Sequence, residues 1–288
     1  MSRRWSGEWG HAHGHGEDRP ELEVLIPSFG RPAELAVTLS GLAAQDGPDF
    51  AVILSDQSGE PVWQEPAVQA MVRLLRAQGR PVRLERNVPR RGLAQQRQFL
   101  LELSAAPEVL FLDNDVWLEP GMLARMHEAL ASSGCGFVGA AVQGLSYLDD
   151  YREHELQPLE LWDGPVEPER IRPGAPGFER WTLHNAANLV HAAAALDVPE
   201  GGWRLYKVAW VGACVLFNRE VLTECGGFDF WEQLPTEHAG EDVAAQWRVM
   251  ERYGGAGILP SGAVHLESPT TIPDRSTDAP SVVLADKH

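Results

Sequence analysis

A chain of 288 residues with 44% hydrophobic content suits one large α/β domain or two small ones, and is too apolar for wholesale disorder. Its formal charge of −17 argues against a nucleic-acid partner or an anionic membrane coat, but leaves a small anionic ligand open, because a bound cation can reverse the potential inside one cleft. Cys135, Cys214 and Cys225 match neither a disulfide framework nor a metal spacing, and no apolar run reaches the ~18 residues of a membrane span. A cytoplasmic protein is expected, with peripheral contact at the inner face of the membrane left open.

The first twenty residues carry arginines and glycines without an apolar stretch, so they read as a flexible tail and not a secretory signal. His11, His13 and His15 could bind a transition metal there, though a Gly- and His-rich tail is the plainer reading. Leu22 to Ile26 is a β-prone run stopped by Pro27, and Ser28 to Pro32 turns into a helix from Pro32 to Ala44, with Leu35, Leu39 and Leu42 at helical spacing. Phe50 to Leu54 forms a second strand, ending at Ser55-Asp56-Gln57-Ser58-Gly59. A helix over Glu65 to Gln78, a strand Val82 to Leu84 and a helix Leu93 to Leu103 follow. Glu108 to Leu112 is the continuous apolar strand of a sheet interior. A helix Pro120 to Ala131 and a strand Phe137 to Val142 continue the alternation. This pattern predicts an α/β fold with a mostly parallel central sheet flanked by helices.

Ligands of such sheets bind beyond the carboxyl ends of the strands, where Ser28, Asp56 and Asp113 fall. Gln143 to Pro199, which includes Trp181-Thr182-Leu183-His184-Asn185, breaks the rhythm and reads as an insertion closing over the site. Beyond it come an apolar run Val208 to Phe217, a helix Arg219 to Cys225, the turn Gly226-Gly227-Phe228-Asp229, a helix Gly240 to Tyr253 and the segment Val264-His265-Leu266. The expected organisation is a tail (1–20), a first half (21–142), a second half of the same domain (143–268) and a second tail (269–288).

Asp113-Asn114-Asp115 ends the most apolar strand. Carboxylates at i and i+2 can both approach one hard cation, and Mg2+ or Mn2+ takes a few carboxylates plus substrate phosphates. A strand-end turn rich in Asp is the bland alternative. His265 is a candidate third ligand, set against a structural histidine. Glu241-Asp242 opens a helix, where the dipole alone would favour acids. The chemical alternative is a general base. Neighbouring helical residues project about 100° apart, so the roles divide: Asp242 as base, Glu241 orienting the acceptor or supporting the loop. Trp210 and Trp231 are candidate pocket aromatics.

Val24-Leu25-Ile26-Pro27-Ser28-Phe29-Gly30-Arg31, the Asp56 turn, Phe111-Leu112-Asp113-Asn114-Asp115, Trp210-Val211-Gly212-Ala213-Cys214, Gly226-Gly227-Phe228-Asp229 and Glu241-Asp242 occur in one order. Together they resemble the family 2 glycosyltransferases of the GT-A, Rossmann-like fold over roughly Glu21 to Leu266. The resemblance implies a nucleotide-diphosphate sugar donor (a UDP-sugar first, GDP or dTDP as alternatives) and Mn2+ or Mg2+, and makes 21–142 the nucleotide-sugar-binding half and 143–268 the acceptor-binding and catalytic half. It sets Pro27, Ser28 and Arg31 beside the nucleotide and Asp56 on the base. Arg90, Arg91 and Gly92 to Arg97 would approach base and diphosphate, with Arg97 the preferred cation. Asp113 and Asn114 would face the ribose or the metal, and Asp115 would be the principal metal ligand. Trp210, Gly212 and Trp231 would line the donor sugar and acceptor, and Asp242 would be the base of an inverting displacement. His265 would correspond to a late metal-binding histidine.

The membrane spans and aromatic-basic signatures of processive synthases are missing, which points to single addition. The acceptor would be a carbohydrate, glycolipid or small molecule, with polysaccharide biosynthesis the first pathway to consider and a homo-oligomer left open. Two rivals stand: a sugar-phosphate nucleotidyltransferase, whose phosphate-loop lysine is not found in the first loop, and a non-catalytic sugar-nucleotide-binding protein on the same fold. No Gly-x-Gly-x-x-Gly loop follows the first strand, which disfavours a nicotinamide enzyme.

Overall fold

The computed structural model describes residues 5–9, 20–184 and 188–284. His11, His13, His15 and Asn185 lie outside them.

The first half follows the alternation read from the sequence: β1 (Leu22–Ser28), α1 (Pro32–Ala43), β2 (Phe50–Asp56), α2 (Pro66–Ala77), β3 (Val82–Arg86), α3 (Leu93–Leu103) and β4 (Glu108–Leu112). β1 pairs in parallel with β2 and β4, and β2 with β3. Every residue of β1 and β2 is buried, as strands covered on both faces must be. β1 continues through Pro27, where the sequence suggested a stop. β4 pairs only as far as Leu25, so one flank of Pro27 carries no ladder for its missing N–H to break.

The second half is more mixed. It comprises β5 (Val116–Leu118), α4 (Met122–Ser133), β6 (Phe137–Gly139), β7 (Gln143–Gly144), α5 (Glu153–Leu156), α6 (Asn188–Ala195), β8 (Arg204–Tyr206) and β9 (Cys214–Asn218). After these come α7 (Arg219–Glu224), α8 (Glu241–Tyr253), β10 (Ala256–Leu259), β11 (Ala263–His265) and α9 (Ala279–Val283). The main sheet has the order β3-β2-β1-β4-β9-β6-β10-β8. β9 lies antiparallel between β4 and β6, and β8 antiparallel to β10, while β6 and β10 pair in parallel. The sheet is therefore mostly parallel, with two reversed strands. Only the end of the Val208 to Phe217 run is strand; a φ of 66° at Ala213 turns the chain just before β9.

Period-two alternation divides the core between the two faces. Leu22, Val24 and Ile26 join Leu35, Leu39, Val72 and Met126 on one side, whereas Leu25, Ile53 and Phe111 join Leu100, Phe228 and Trp247 on the other. A small sheet, β5-β11-β7, carries the last strand back to the acidic triplet. There His265 pairs with Val116, and the Leu266 N–H donates to the Asp115 carbonyl at 2.9 Å. The chain beyond 268 also returns to the domain: Thr277 and Ala279 bond to the Ala239 backbone, and α9 packs on α8. No helix among the described residues is long and apolar enough to cross a membrane.

Candidate active site

Parallel order brings the ends of β1, β2 and β4 to one rim, and their loops share a hydrogen-bonded floor. Gln96 of α3 donates to the carbonyls of Ser28 (3.0 Å) and Ser55 (2.8 Å), and Asn114 donates to the Ser28 hydroxyl (3.1 Å). Pro27 is buried within β1. Asp56 is turned inward and has no exposed surface. Its Oδ1 accepts from the Ser58 N–H (3.0 Å) and hydroxyl (2.5 Å), and its Oδ2 from the Val62 N–H (3.1 Å) and Arg86 (2.7 Å). Both oxygens are thus satisfied by the protein, and Ser58 Oγ accepts in turn from the Gly30 N–H at 2.7 Å.

The acidic triplet divides its two carboxylates. Half-buried Asp113 donates its N–H to the Ala213 carbonyl (2.8 Å), and its Oδ1 accepts from Arg97 (2.9 Å). Burial pushes its pKa up, against the Arg97 charge, and Asp115 and Asp242 add to the rise. Asp115 is buried; its Oδ2 accepts from Arg31 at 2.5 Å and lies 3.4 Å from His265 Nε2. Arg31 also donates to the Pro269 carbonyl. The hydrogen bond to Asp115 raises the His265 pKa, against partial burial. The Glu267 N–H, however, donates into Nδ1 at 2.9 Å, so the neutral ring carries its hydrogen on Nε2, facing Asp115.

These groups define what cation the site could take. Among the described residues, no three His, Cys, Asp or Glu side chains are arranged to hold an ion. Asp113 and Asp115 nevertheless offer carboxylate oxygens, the donor type a hard cation takes. With a hydrogen on His265 Nε2, they are left to share the shell with ligand oxygens and water. The donor set fits Mg2+ or Mn2+ held jointly with a diphosphate and does not fit a closed protein cage.

Arg97 joins this half of the site to α8. It is buried beside the Phe111 ring (5.6 Å), and while Nη2 reaches Asp113, Nε donates to Glu241 at 3.1 Å. Gly92 lets α3 begin close under the 235–238 segment: its φ is 99°, and a Cβ there would meet the Thr236 carbonyl at 2.7 Å. His238 completes that contact, accepting from the Ala94 N–H (3.2 Å) and donating to the Pro235 carbonyl (2.7 Å). Arg90 pairs with Glu237 (2.8 Å) and covers Phe29 (4.2 Å), and Arg91 lies 5.9 Å from the Trp231 ring. Arg90 and Trp231 are thus tied to the 228–238 segment and its neighbours, not to Asp113, Asp115 or Asp242.

The adjacent acids of α8 have separate environments. Glu241 is 3% exposed, and its pKa is pushed up to about 7 by burial first and the Asp242 charge second, against the pull of Arg97. Asp242 is half-buried and faces Gly212 and His184; a Cβ built on Gly212 would stand 3.8 Å from Asp242 Oδ2. Half-buried Trp210 lies 6.0 Å from the His184 ring and 6.3 Å from Trp247. A small cavity is lined by Arg97, Phe111, Phe228, Asp242 and Gln246. One connected site therefore holds Arg31, Arg97, Asp113, Asn114, Asp115, Gly212, Glu241, Asp242 and His265. Sequence reasoning missed Arg86 and His238, and reached Gln96 and His184 only as members of longer segments, Gly92 to Arg97 and the insertion. Arg86 carried no local signal: it lies two residues beyond the Val82 to Leu84 run and meets Asp56 through the register of β3 on β2.

Residues 23–196 match the family model described as glycosyl transferase family 2. Among solved structures, mannosyltransferase PcManGT from Pyrobaculum calidifontis, in complex with GDP-Man and Mn2+, superposes with a TM-score of 0.55 at 17% identity, over 93% of this chain and 64% of that one. S. aureus TarS 1-349 in complex with UDP-GlcNAc gives 0.53 at 13% identity, over 88% and 60%, and TarS 1-349 alone gives 0.51 at 12%, over 85% and 59%. At these identities the likeness concerns the fold, and the chain spans less than two thirds of each of these structures. No curated protein matches the chain. The family model covers more than half of the sequence and the solved structures share the GT-A-like α/β fold: the chain belongs to glycosyl transferase family 2.

Proposed function

We propose that this chain transfers one sugar per encounter from a nucleotide-diphosphate donor to an acceptor hydroxyl, with inversion and with Mg2+ or Mn2+. The observation that carries this reading is Arg97, which binds Asp113 at the end of β4 and Glu241 at the start of α8. One buried guanidinium ties the diphosphate side of the cleft to the acceptor side, and Asp242, half-buried beside Gly212 and His184, is left off both of those bonds.

Asp242 takes the proton of the acceptor hydroxyl, which attacks the anomeric carbon on the face away from the nucleotide. Glu241 stays on Arg97 and supports the turn into α8. Asp115 and Asp113 would hold the cation, which when bound would supply positive charge against the departing diphosphate. Arg31 and His265 orient Asp115, and the Glu267 amide keeps the Nε2 hydrogen of His265 turned toward that carboxylate, so His265 would support Asp115 from outside the cation's shell. Arg97 shares the leaving-group charge. Ser28, Pro27 and Asn114 border the nucleotide, with Arg90 at its outer edge; Asp56 serves the base through the Ser55–Gly59 turn it anchors, since its own oxygens are taken. Trp210 and Gly212 wall the sugar side, with Trp231 further out. PcManGT with GDP-Man and Mn2+, and TarS with UDP-GlcNAc, support a nucleotide sugar without choosing the base, so UDP-, GDP- and dTDP-sugars form the donor panel.

The test is Asp242→Asn. Donor and Mn2+ should still raise the melting temperature, while transfer falls by roughly 10²- to 10⁴-fold, the usual worth of a general base. Normal turnover in that variant would remove the base assignment. Product whose anomeric configuration by NMR matches the donor's would remove inversion.

A further inference from the structure

The displacement leaves one side chain of the cleft without a task. His184 ends the helical turn Phe178–His184, in the insertion between β7 and β8. Its ring and the proposed base border the same point: a Cβ built on Gly212 would lie 2.6 Å from His184 Cε1, 3.2 Å from its Nε2 and 3.8 Å from Asp242 Oδ2. The turn that delivers this ring is anchored along its length. Phe178 lies 6.1 Å from the Trp210 ring and His184 6.0 Å from it. Leu183 is buried, and Arg180, also buried, pairs with Glu169 at 2.9 Å. The residue as a whole keeps exposed surface, the ring is packed closely enough that burial pushes its pKa down, and no described residue hydrogen-bonds it.

We propose that His184 is an acceptor-binding residue that orients the reacting hydroxyl by holding a second, neighbouring hydroxyl of the same molecule. The assignment rests on Asp242 as the base. A carboxylate only accepts hydrogen bonds, whereas a neutral imidazole accepts at one nitrogen and donates at the other. Side by side, the two groups can hold adjacent hydroxyls of a ring: Asp242 receives the one that reacts and His184 fixes its neighbour. A lone alcohol satisfies only one of them. The acceptor class is therefore a sugar or other cyclic polyol with vicinal hydroxyls. Gly212 is needed because any side chain would occupy the space where the two groups meet.

The test measures nucleoside-diphosphate release from UDP-glucose, UDP-N-acetylglucosamine or GDP-mannose with Mn2+. A panel of methyl pyranosides serves as acceptors, with n-propanol as the lone-alcohol control. A pyranoside should be used and propanol not. His184→Ala should raise the KM of the best pyranoside about tenfold, the worth of roughly one hydrogen bond, with a smaller change in kcat. His184→Gln keeps one donor and one acceptor and should restore most of the loss. Gly212→Ala drives a methyl against the ring with both partners still present and should raise the same KM; it and the Gln variant carry the test if His184→Ala fails to fold. An unchanged acceptor KM in His184→Ala, a Gln variant no better than Ala, or a wild type that uses no pyranoside overturns the assignment. Normal turnover by Asp242→Asn with the His184 effects intact would instead remove the base and leave the acceptor contact standing.

Discussion

Glu241 should cost the protein stability, and Glu241→Gln should recover it. Three carboxylates, Asp113, Glu241 and Asp242, surround the single guanidinium of Arg97, so ionising the most buried of them is opposed. The Glu241 pKa accordingly stands at about 7 against 4.5 for a free side chain. The folded state then binds more protons than the unfolded state between those two values, and stability falls as pH rises through that window. The raised pKa costs about 1 kcal/mol at pH 5, where only the unfolded chain ionises, and about 3 kcal/mol at pH 8, where both states do, taking 1.36 kcal/mol per pKa unit. Gln has the same shape and retains an oxygen for Arg97 Nε, but has no proton to lose. Urea unfolding at pH 5 and pH 8 should therefore show Glu241→Gln more stable than wild type, with the difference larger by about 2 kcal/mol at the higher pH. Transfer should fall in the same variant, because a charge kept at a stability cost is kept for function. A Glu241→Gln protein that is less stable at both pH values, or whose advantage does not grow with pH, would refute the reasoning.

Three other substitutions test the frame around that pair. Arg97→Met leaves Asp113 and Glu241 without their shared guanidinium and should cost about 3–5 kcal/mol in urea unfolding, the usual penalty for breaking a buried ion pair. Asp56→Ala strands the Ser58 and Val62 N–H groups and loosens Arg86. Because the Arg86 side chain keeps 28% of its exposure, water recovers part of the loss, and about 2–4 kcal/mol is expected by thermal melt, with weaker nucleotide binding. Gly139→Ala would place a methyl 2.6 Å from the Val211 Cβ inside the core, and overpacking should lower stability by about 1–3 kcal/mol in the same melt.

What the sequence revealed, and what it withheld, follows from the range of each signal. α3 and β4 were legible to the residue because their patterns are local: helical spacing bounded by Gly92 and Ser104, and an unbroken apolar run ended by Asp113. The convergence of Ser28, Asp56 and Asp113 followed from strand alternation alone. The direction of β9 did not, since an apolar run looks the same in either orientation, and β8 and β10 are too short to show a period. The inward turn of Asp56 depends on Arg86, which reaches it only through the β2–β3 register. His184 arrives from an insertion whose path is set by Trp210 and Glu169, far away in sequence. α9 was readable and missed: Asp278 caps it, accepting from the Ser281 N–H at 3.2 Å with Pro280 in the first turn.

Backbone strain points to the same centre as the charges. Among the described residues, three non-glycine positions have left-handed backbones, Arg31 (φ 57°), Ala213 (φ 66°) and Glu267 (φ 57°). Each such position costs about 1 kcal/mol or more. They are far apart in the chain, yet all three serve the acidic triplet. Arg31 reaches Asp115, the Ala213 carbonyl accepts from the Asp113 N–H, and the Glu267 N–H fixes the ring of His265 beside Asp115. Strain from an unlucky loop would not recur at three unrelated turns around two carboxylates. Each turn instead aims one group at Asp113 or Asp115, so the fold spends conformational energy on holding both carboxylates in place before any ligand arrives. That prepositioning is what a site needs if it is to meet a developing diphosphate charge without rearranging.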